Sequence, residues 1–216
     1  MLQIAMTALI TLLAVGCSGP RYVDYFPYHD DGTPKPKVAL MKIIDSSQSG
    51  VPWDVSDELT QALYYDLMNS GELYVLSPQE IGLSWDRQES LDFFGNDMEF
   101  VNECGNADFI VALELIEHSS IEPMALVNGA PQCDQSSRAL TMRVRIKVID
   151  VRCQEPRIIL YEILTNSYTI SSKGEIDYTQ FGWGTPGYAI TPCARVHQRM
   201  INNLACRLEE VLWRAR

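Results

Sequence analysis

The residues in this chain able to do acid–base, nucleophilic or metal chemistry are few and scattered. There are three histidines, His29, His118 and His197, and six cysteines. Glu114 and Glu117 lie close together near the end of an apolar, alternating stretch, where paired carboxylates could act as general acid and base. Carboxylates on the solvated face of a strand are far more often simply solvated. His29 falls in a proline-rich segment, His118 just after the alternating stretch and His197 on the last helical pattern. No two histidines have metal-ligand spacing, so neither a metal nor a cofactor is expected. The chain holds no G-x-S-x-G, no P-loop, no glycine-rich dinucleotide fingerprint and no C-x-x-C. A nucleophile assembled only in space would leave no such trace, but catalysis is not expected.

Cys17 has the clearest chemistry. Residues 1–16 carry no charged side chain and form an apolar run that ends at this cysteine. The run falls short of the roughly 20 residues a spanning helix needs and fits a secretory signal. Leu13-Ala14-Val15-Gly16-Cys17 resembles the bacterial lipoprotein signal, in which the cysteine is lipidated and becomes the first mature residue. A diacylglycerol plus an amide-linked chain on Cys17 would supply the two or more acyl anchors that stable attachment requires. Ser18 in place of Asp after the cysteine suggests the outer membrane, by resemblance to the sorting rules of such lipoproteins. The other five cysteines, Cys104, Cys133, Cys153, Cys193 and Cys206, permit at most two internal disulfides. If residues 192–214 are one helix, Cys193 and Cys206 lie about 20 Å apart along it and cannot pair.

These groups must be positioned by a larger framework. Residues 17–36, with Pro20, Pro27, Pro34 and Pro36, read as an extended tether. The region 37–216 reads as one α/β domain. Residues 38–44 form a nearly continuous apolar strand of the kind buried on both faces. Asp54 can cap a helix with Val55, Leu59, Ala62, Leu63 and Leu67 on one face, ended by Gly71. Residues 73–77 make a short strand, and residues 98–104 a second helix. Phe109, Val111, Leu113 and Leu115 alternate in a third strand. Leu140, Met142, Val144, Ile146 and Val148 alternate with Thr141, Arg143, Arg145 and Lys147, giving a fourth strand with one buried and one solvated cationic face. Residues 157–169 return as a fifth strand. Thr191-Pro192 opens a final helix with Val196, Met200, Leu204, Leu208 and Val211 on one face. The order β-α-β-α-β-β-β-α implies a mixed sheet with helices packed on it.

The strand at 37–45, the helix start Val-Ser-Asp-Glu-Leu-Thr-Gln-Ala-Leu at 55–63 and Ser-Gly-Glu-Leu-Tyr-Val-Leu-Ser at 70–77 resemble the envelope lipoprotein superfamily of CsgG, LpoB, PelC and the TolB amino-terminal domain. Ala107-Asp108-Phe109-Ile110-Val111 and Val148-Ile149-Asp150 match later landmarks of that pattern. The resemblance spans residues 37–212. It implies the fold and an envelope role, and no catalytic residues carry over.

Two surfaces could meet a partner. The long segments 118–139 and 170–190 leave the meander at one edge, and the second carries Tyr178, Phe181, Trp183 and Tyr188 among glycines. Those rings either form a contact patch or fold the segment onto its own core. Arg143, Arg145 and Lys147 either pair with Glu162 or acids of the first half, or face an anionic partner. The net charge of −11 disfavours nucleic acid. It is uneven, with 19 acids and 5 bases before residue 121 and 9 acids and 12 bases after it. The reading is an outer-membrane-anchored periplasmic lipoprotein, a non-catalytic adaptor or activator of an envelope machine with a protein partner. The alternative is a ring-forming, non-spanning homo-oligomer of an export system.

Overall fold

A strand buried on both faces must satisfy its backbone within the sheet and fill a core layer on each side. The segment after residue 36 does this in two pieces. In the computed structural model, which describes residues 26–84, 87–88, 90–95, 98–121, 124–127, 130–133, 137–171 and 176–215, β1 (Lys37–Leu40) and β2 (Ile44–Asp45) both run parallel to β4 (Phe109–Ile121). Leu40 pairs with Val111 and Ile44 with Glu114, so four steps on one side answer three on the other. The extra residue breaks the expected continuous strand. The interrupted amides find side chains: Lys42 N–H donates to Gln88 Oε1 at 2.9 Å and Ile43 N–H to Thr60 Oγ1 at 2.9 Å. Ser56 donates its hydroxyl proton to the Ile43 carbonyl.

The remaining elements are α1 (Val55–Asn69), β3 (Tyr74–Val75), α2 (Pro78–Ile81), β5 (Met124–Val127), β6 (Ala130–Cys133), β7 (Ser137–Asp150), β8 (Arg157–Ser171) and α3 (Pro192–Arg214). The main sheet runs β3-β1-β4-β7-β8, with β2 also on β4, and is parallel up to β4 and antiparallel beyond it. This is the mixed α/β sheet with helices packed on it that the pattern implied. Differences arise where polar sequence hides regular structure. Residues 99–103 make a 3-10 turn rather than an α-helix. The described part of 118–139 is paired strand rather than loop: β4 and β7 continue pairing out to Ile121 and Ala139, and β5 pairs antiparallel with β6. Ser119, Ser120 and Arg138 mask strands that pair through the backbone.

Helix α1 forms because Asp54 accepts from the Asp57 amide at 3.2 Å and Leu59, Leu63 and Leu67 recur every fourth residue on its buried face. Helix α3 is capped by Thr191, which accepts from the Ala194 amide at 3.1 Å, and carries Pro192 in its first turn. Its buried row is Val196, Met200, Leu204, Leu208 and Leu212, so Leu212 takes the place expected of Val211. Both helices cover one face of the sheet, against Val38, Leu40, Val111, Leu113, Leu115, Met142 and Val144. Phe93, Phe100, Ile81 and Leu83 cover part of the other, against Ala39, Met41, Ile110 and Ala112.

That second layer corrects the expected cationic face. Lys147 is 1% exposed, and its Nζ donates to the carbonyls of Phe93 at 2.9 Å and Gly95 at 3.0 Å. Burial lowers its pKa, opposed by the charge of Asp92. Lys147 therefore tethers the 93–95 segment to the sheet and is not part of a solvated stripe. Lys147→Met keeps the volume but leaves two carbonyls unpaired. It is expected to cost about 1–3 kcal/mol, read as a lower urea midpoint; an unchanged midpoint would contradict this role.

Candidate functional site

One carboxylate, Glu58, is buried in the first turn of α1 at 4% exposure. An ionised carboxylate there must be hydrogen-bonded and matched by charge. Three elements meet this need. Trp53 Nε1–H donates to Oε2 at 2.7 Å, the Tyr188 hydroxyl donates to Oε1, and His197 Nδ1 lies 2.7 Å from Oε1. Burial works against the charge of Glu58, but the His197, Tyr188 and Trp53 contacts outweigh it and hold the carboxyl below its usual range. His197 is 2% exposed; burial opposes its charge too, but bonding to Cys193 and Glu58 raises its pKa to about 9.

The other ring nitrogen of His197 faces two more polar groups. His118 Nε2 is 2.8 Å from His197 Nε2, and Cys193 Sγ is 3.4 Å from the same nitrogen. The rings meet edge to face, with centroids 5.1 Å apart at 70°. Burial and the neighbouring His197 charge lower the His118 pKa to about 4. His118 is therefore neutral at pH 7, and a cationic His197 donates from Nδ1 to Glu58 and from Nε2 to His118.

Local structure explains how residues so far apart meet. Cys193 and His197 stand four apart on α3, so they share one face one turn apart. His118 arrives through a bulge. Leu115 pairs with Val144 but Glu117 with Arg143, so Ile116 is an extra residue in β4. Before it, odd-numbered residues face the helices; after it, His118 does, opposite Met142. Without the bulge His118 would point away from α3.

The expected contact residues separate. Arg143 pairs with Glu117 at 3.5 Å and Arg145 with Glu114 at 3.1 Å, while Glu162 pairs with Arg207 at 2.7 Å. The two acids proposed for acid–base work are thus engaged with arginines across the β4–β7 pair. Tyr178 and Tyr188 fold inward onto Trp53, with ring centroids at 5.8 and 5.4 Å. Gly182 makes that close approach possible, since a Cβ there would lie 3.0 Å from the Trp53 ring and 2.7 Å from the Tyr178 carbonyl. Phe181 remains 41% exposed, and Trp183 is half-buried beside a cleft of about 430 Å³ whose floor includes Glu58, Tyr188 and His197. Cys104, Cys153, Cys193 and Cys206 are free thiols; the Cys133 side chain and Cys17 lie outside the described residues. Burial pushes the Cys104 thiol up to about 12, which marks it as inert packing.

Cys193, His197 and Glu58 have the connectivity of a nucleophile, a base and its orienting acid. His197 Nε2 nevertheless lies nearer His118 than the thiol, and Cys193 is only 5% exposed, so substrate has no approach to the sulfur in this arrangement. Among the described residues, His118, Cys193 and His197 form a set of potential metal ligands, with their donor atoms within 4.8 Å of one another. His–His spacing does not reveal this set, because His118 and His197 lie 79 positions apart. The usable signal was the pair Cys193 and His197 at i, i+4 on a predicted helix.

The network sets a stability window. His197, raised to about 9 from its ordinary 6.5, stabilises fully below about pH 6.5 and loses that contribution as pH rises through 9. His118, lowered to about 4, contributes fully above about pH 6.5 and loses it as pH falls through 4. Urea unfolding with chelator present should therefore show maximal stability near pH 6.5. Glu58→Gln should lower stability at neutral pH by about 3 kcal/mol and flatten the alkaline limb. An unaltered limb would show that the His197 charge does not depend on Glu58.

No curated protein matches the chain. Among solved structures, it is similar to the hypothetical protein CT253 from Chlamydia trachomatis, at 22% identity and a TM-score of 0.64 over 81% of this chain and 96% of that one. This shows a shared fold. It is also matched to the lipoprotein GNA1162 from Neisseria meningitidis, at 10% identity and a TM-score of 0.42 over 79% and 98% of the two chains. A PelC dodecamer from Paraburkholderia phytofirmans matches at 10% identity and a TM-score of 0.37 over 82% and 87%. These two likenesses are too weak to carry a function. Residues 24–216 match the family described as Family of unknown function (DUF7499), and the chain belongs to that family.

Proposed function

We propose that the protein is a lipoprotein anchored in the outer membrane through Cys17, acting in the periplasm by protein contacts as an adaptor or activator of an envelope machine. The observation that carries this reading is the uncharged run of residues 1–16 that leads into Cys17 through Leu13-Ala14-Val15-Gly16, followed by a proline-rich stretch. Among the described residues, no helix is long and apolar enough to cross a membrane.

The domain surface suits contact rather than turnover. Strand β8 ends the sheet path, so one edge of its 15 residues has no strand beside it among the described residues. Ile158, Tyr161 and Ile163 on it are 43%, 54% and 46% exposed. A long edge with exposed apolar side chains is a template for added backbone or a second chain. The buried charges hold α1, α3 and the 176–190 segment together and present no open nucleophile.

Acyl labelling in cells making the full chain tests the anchor. Wild-type protein is expected to take up the label and sediment with membranes. Cys17→Ser is expected to lose both, and equal membrane retention of the two would overturn the reading.

A further inference from the structure

We propose that His118 Nε2, His197 Nε2 and Cys193 Sγ form a binding site for one divalent ion of the zinc class, with Glu58 as an outer-shell positioning residue. The inference is independent of the lipid anchor.

Two imidazoles and a thiolate are the donor set that zinc and similar borderline-soft ions prefer. Metal–nitrogen distances of about 2.0–2.1 Å and a metal–sulfur distance of about 2.3 Å in tetrahedral geometry require N···N near 3.3 Å and N···S near 3.6 Å. The corresponding separations about His197 are 2.8 and 3.4 Å, and all three atoms fit within 4.8 Å. An ion therefore needs the two rings to part by about half an ångström, a small rotation of the half-buried His118. It also needs the thiol to turn further toward His118.

The surroundings have the features of a built site. His197 Nδ1 is fixed by Glu58 Oε1 at 2.7 Å, which in metal centres sets the tautomer of a ligating histidine and orients its ring. Glu58 is in turn held by Trp53 and Tyr188. Cys193 sits in the first turn of the 23-residue helix α3, one turn before His197 on the same face. Cys193 and His197 are 5% and 2% exposed, so their donor atoms are already withdrawn from bulk water. Binding displaces the Nε2 proton of His197 and the thiol proton of Cys193 to solvent. The lone pair that His118 Nε2 now offers to a hydrogen bond goes to the ion instead. Three protein ligands leave the fourth position for a water.

The test uses the full chain in detergent, freed of metal by chelator and kept reduced with a phosphine, then titrated with Co²⁺ alone. The expected result is a thiolate-to-cobalt charge-transfer band that saturates at one equivalent and is bleached by Zn²⁺. Cys193→Ser is expected to abolish the band, and Cys206→Ser, at an exposed position on the same helix, to keep it. Glu58→Gln is expected to weaken Co²⁺ affinity about 10–100-fold with the band position unchanged. His118→Asn is expected to weaken binding at least as much, and it decides the matter if Cys193→Ser does not give native circular dichroism. The proposal is overturned by the lack of a band in the folded full chain, by a band that survives Cys193→Ser, or by unchanged affinity in folded His118→Asn.

Discussion

A carboxylate at 4% exposure is the constraint around which this domain is arranged. Glu58 serves the first turn of α1 as a favourable acid at a helix N-terminus, yet its side chain points into the layer between α1 and α3. Burial there is tolerable only with full hydrogen bonding and an opposite charge. Trp53 comes from the turn before α1, Tyr188 from the segment before α3, and His197 from α3 itself. Satisfying one carboxylate therefore fixes the relation of both long helices and folds the aromatic 176–190 segment down upon them.

The sheet contributes the other half of the cluster through a single extra residue. Up to Leu115 the alternation of β4 sends odd positions to the helices and even positions away. Ile116 resets this, so that His118 faces α3 while Glu114 and Glu117 both reach arginines of β7 on the opposite face. A hydrogen-bonded pair of histidines and an outer row of ion pairs thus share one cause. The same bulge brings His118 to the two donor atoms of α3, where an unbroken alternation would place Glu117.

Much of the framework was legible because it depends on local chemistry. Asp54 and Thr191 are oxygen caps before apolar faces of helical period, and the alternation from Leu140 to Val148 admits one strand assignment. What was hidden depends on pairing across the chain. The adjacent apolar residues Leu115 and Ile116 are the only trace of the bulge, and such a pair is ambiguous without its partner strand. Ser119, Ser120 and Arg138 read as loop because their pairing is backbone-made. Lys147 read as solvated because nothing local shows that residues 93–95 close over it. His118 and His197 lie 79 positions apart, beyond the reach of any spacing rule, whereas Cys193 and His197 could have been paired from the helix alone. The proposed lipidation of Cys17 is the opposite case, since it is read wholly from consecutive residues.

The packing of α1, α3 and the 176–190 segment rests on an ionised Glu58 matched by a cationic His197 and a neutral His118. Nitrogen-15 NMR of histidine-labelled protein at pH 7, with chelator present, tests that claim most directly. Both His197 ring nitrogens are expected to be protonated, and His118 to be neutral with an unprotonated Nε2. A neutral His197 at that pH would contradict it.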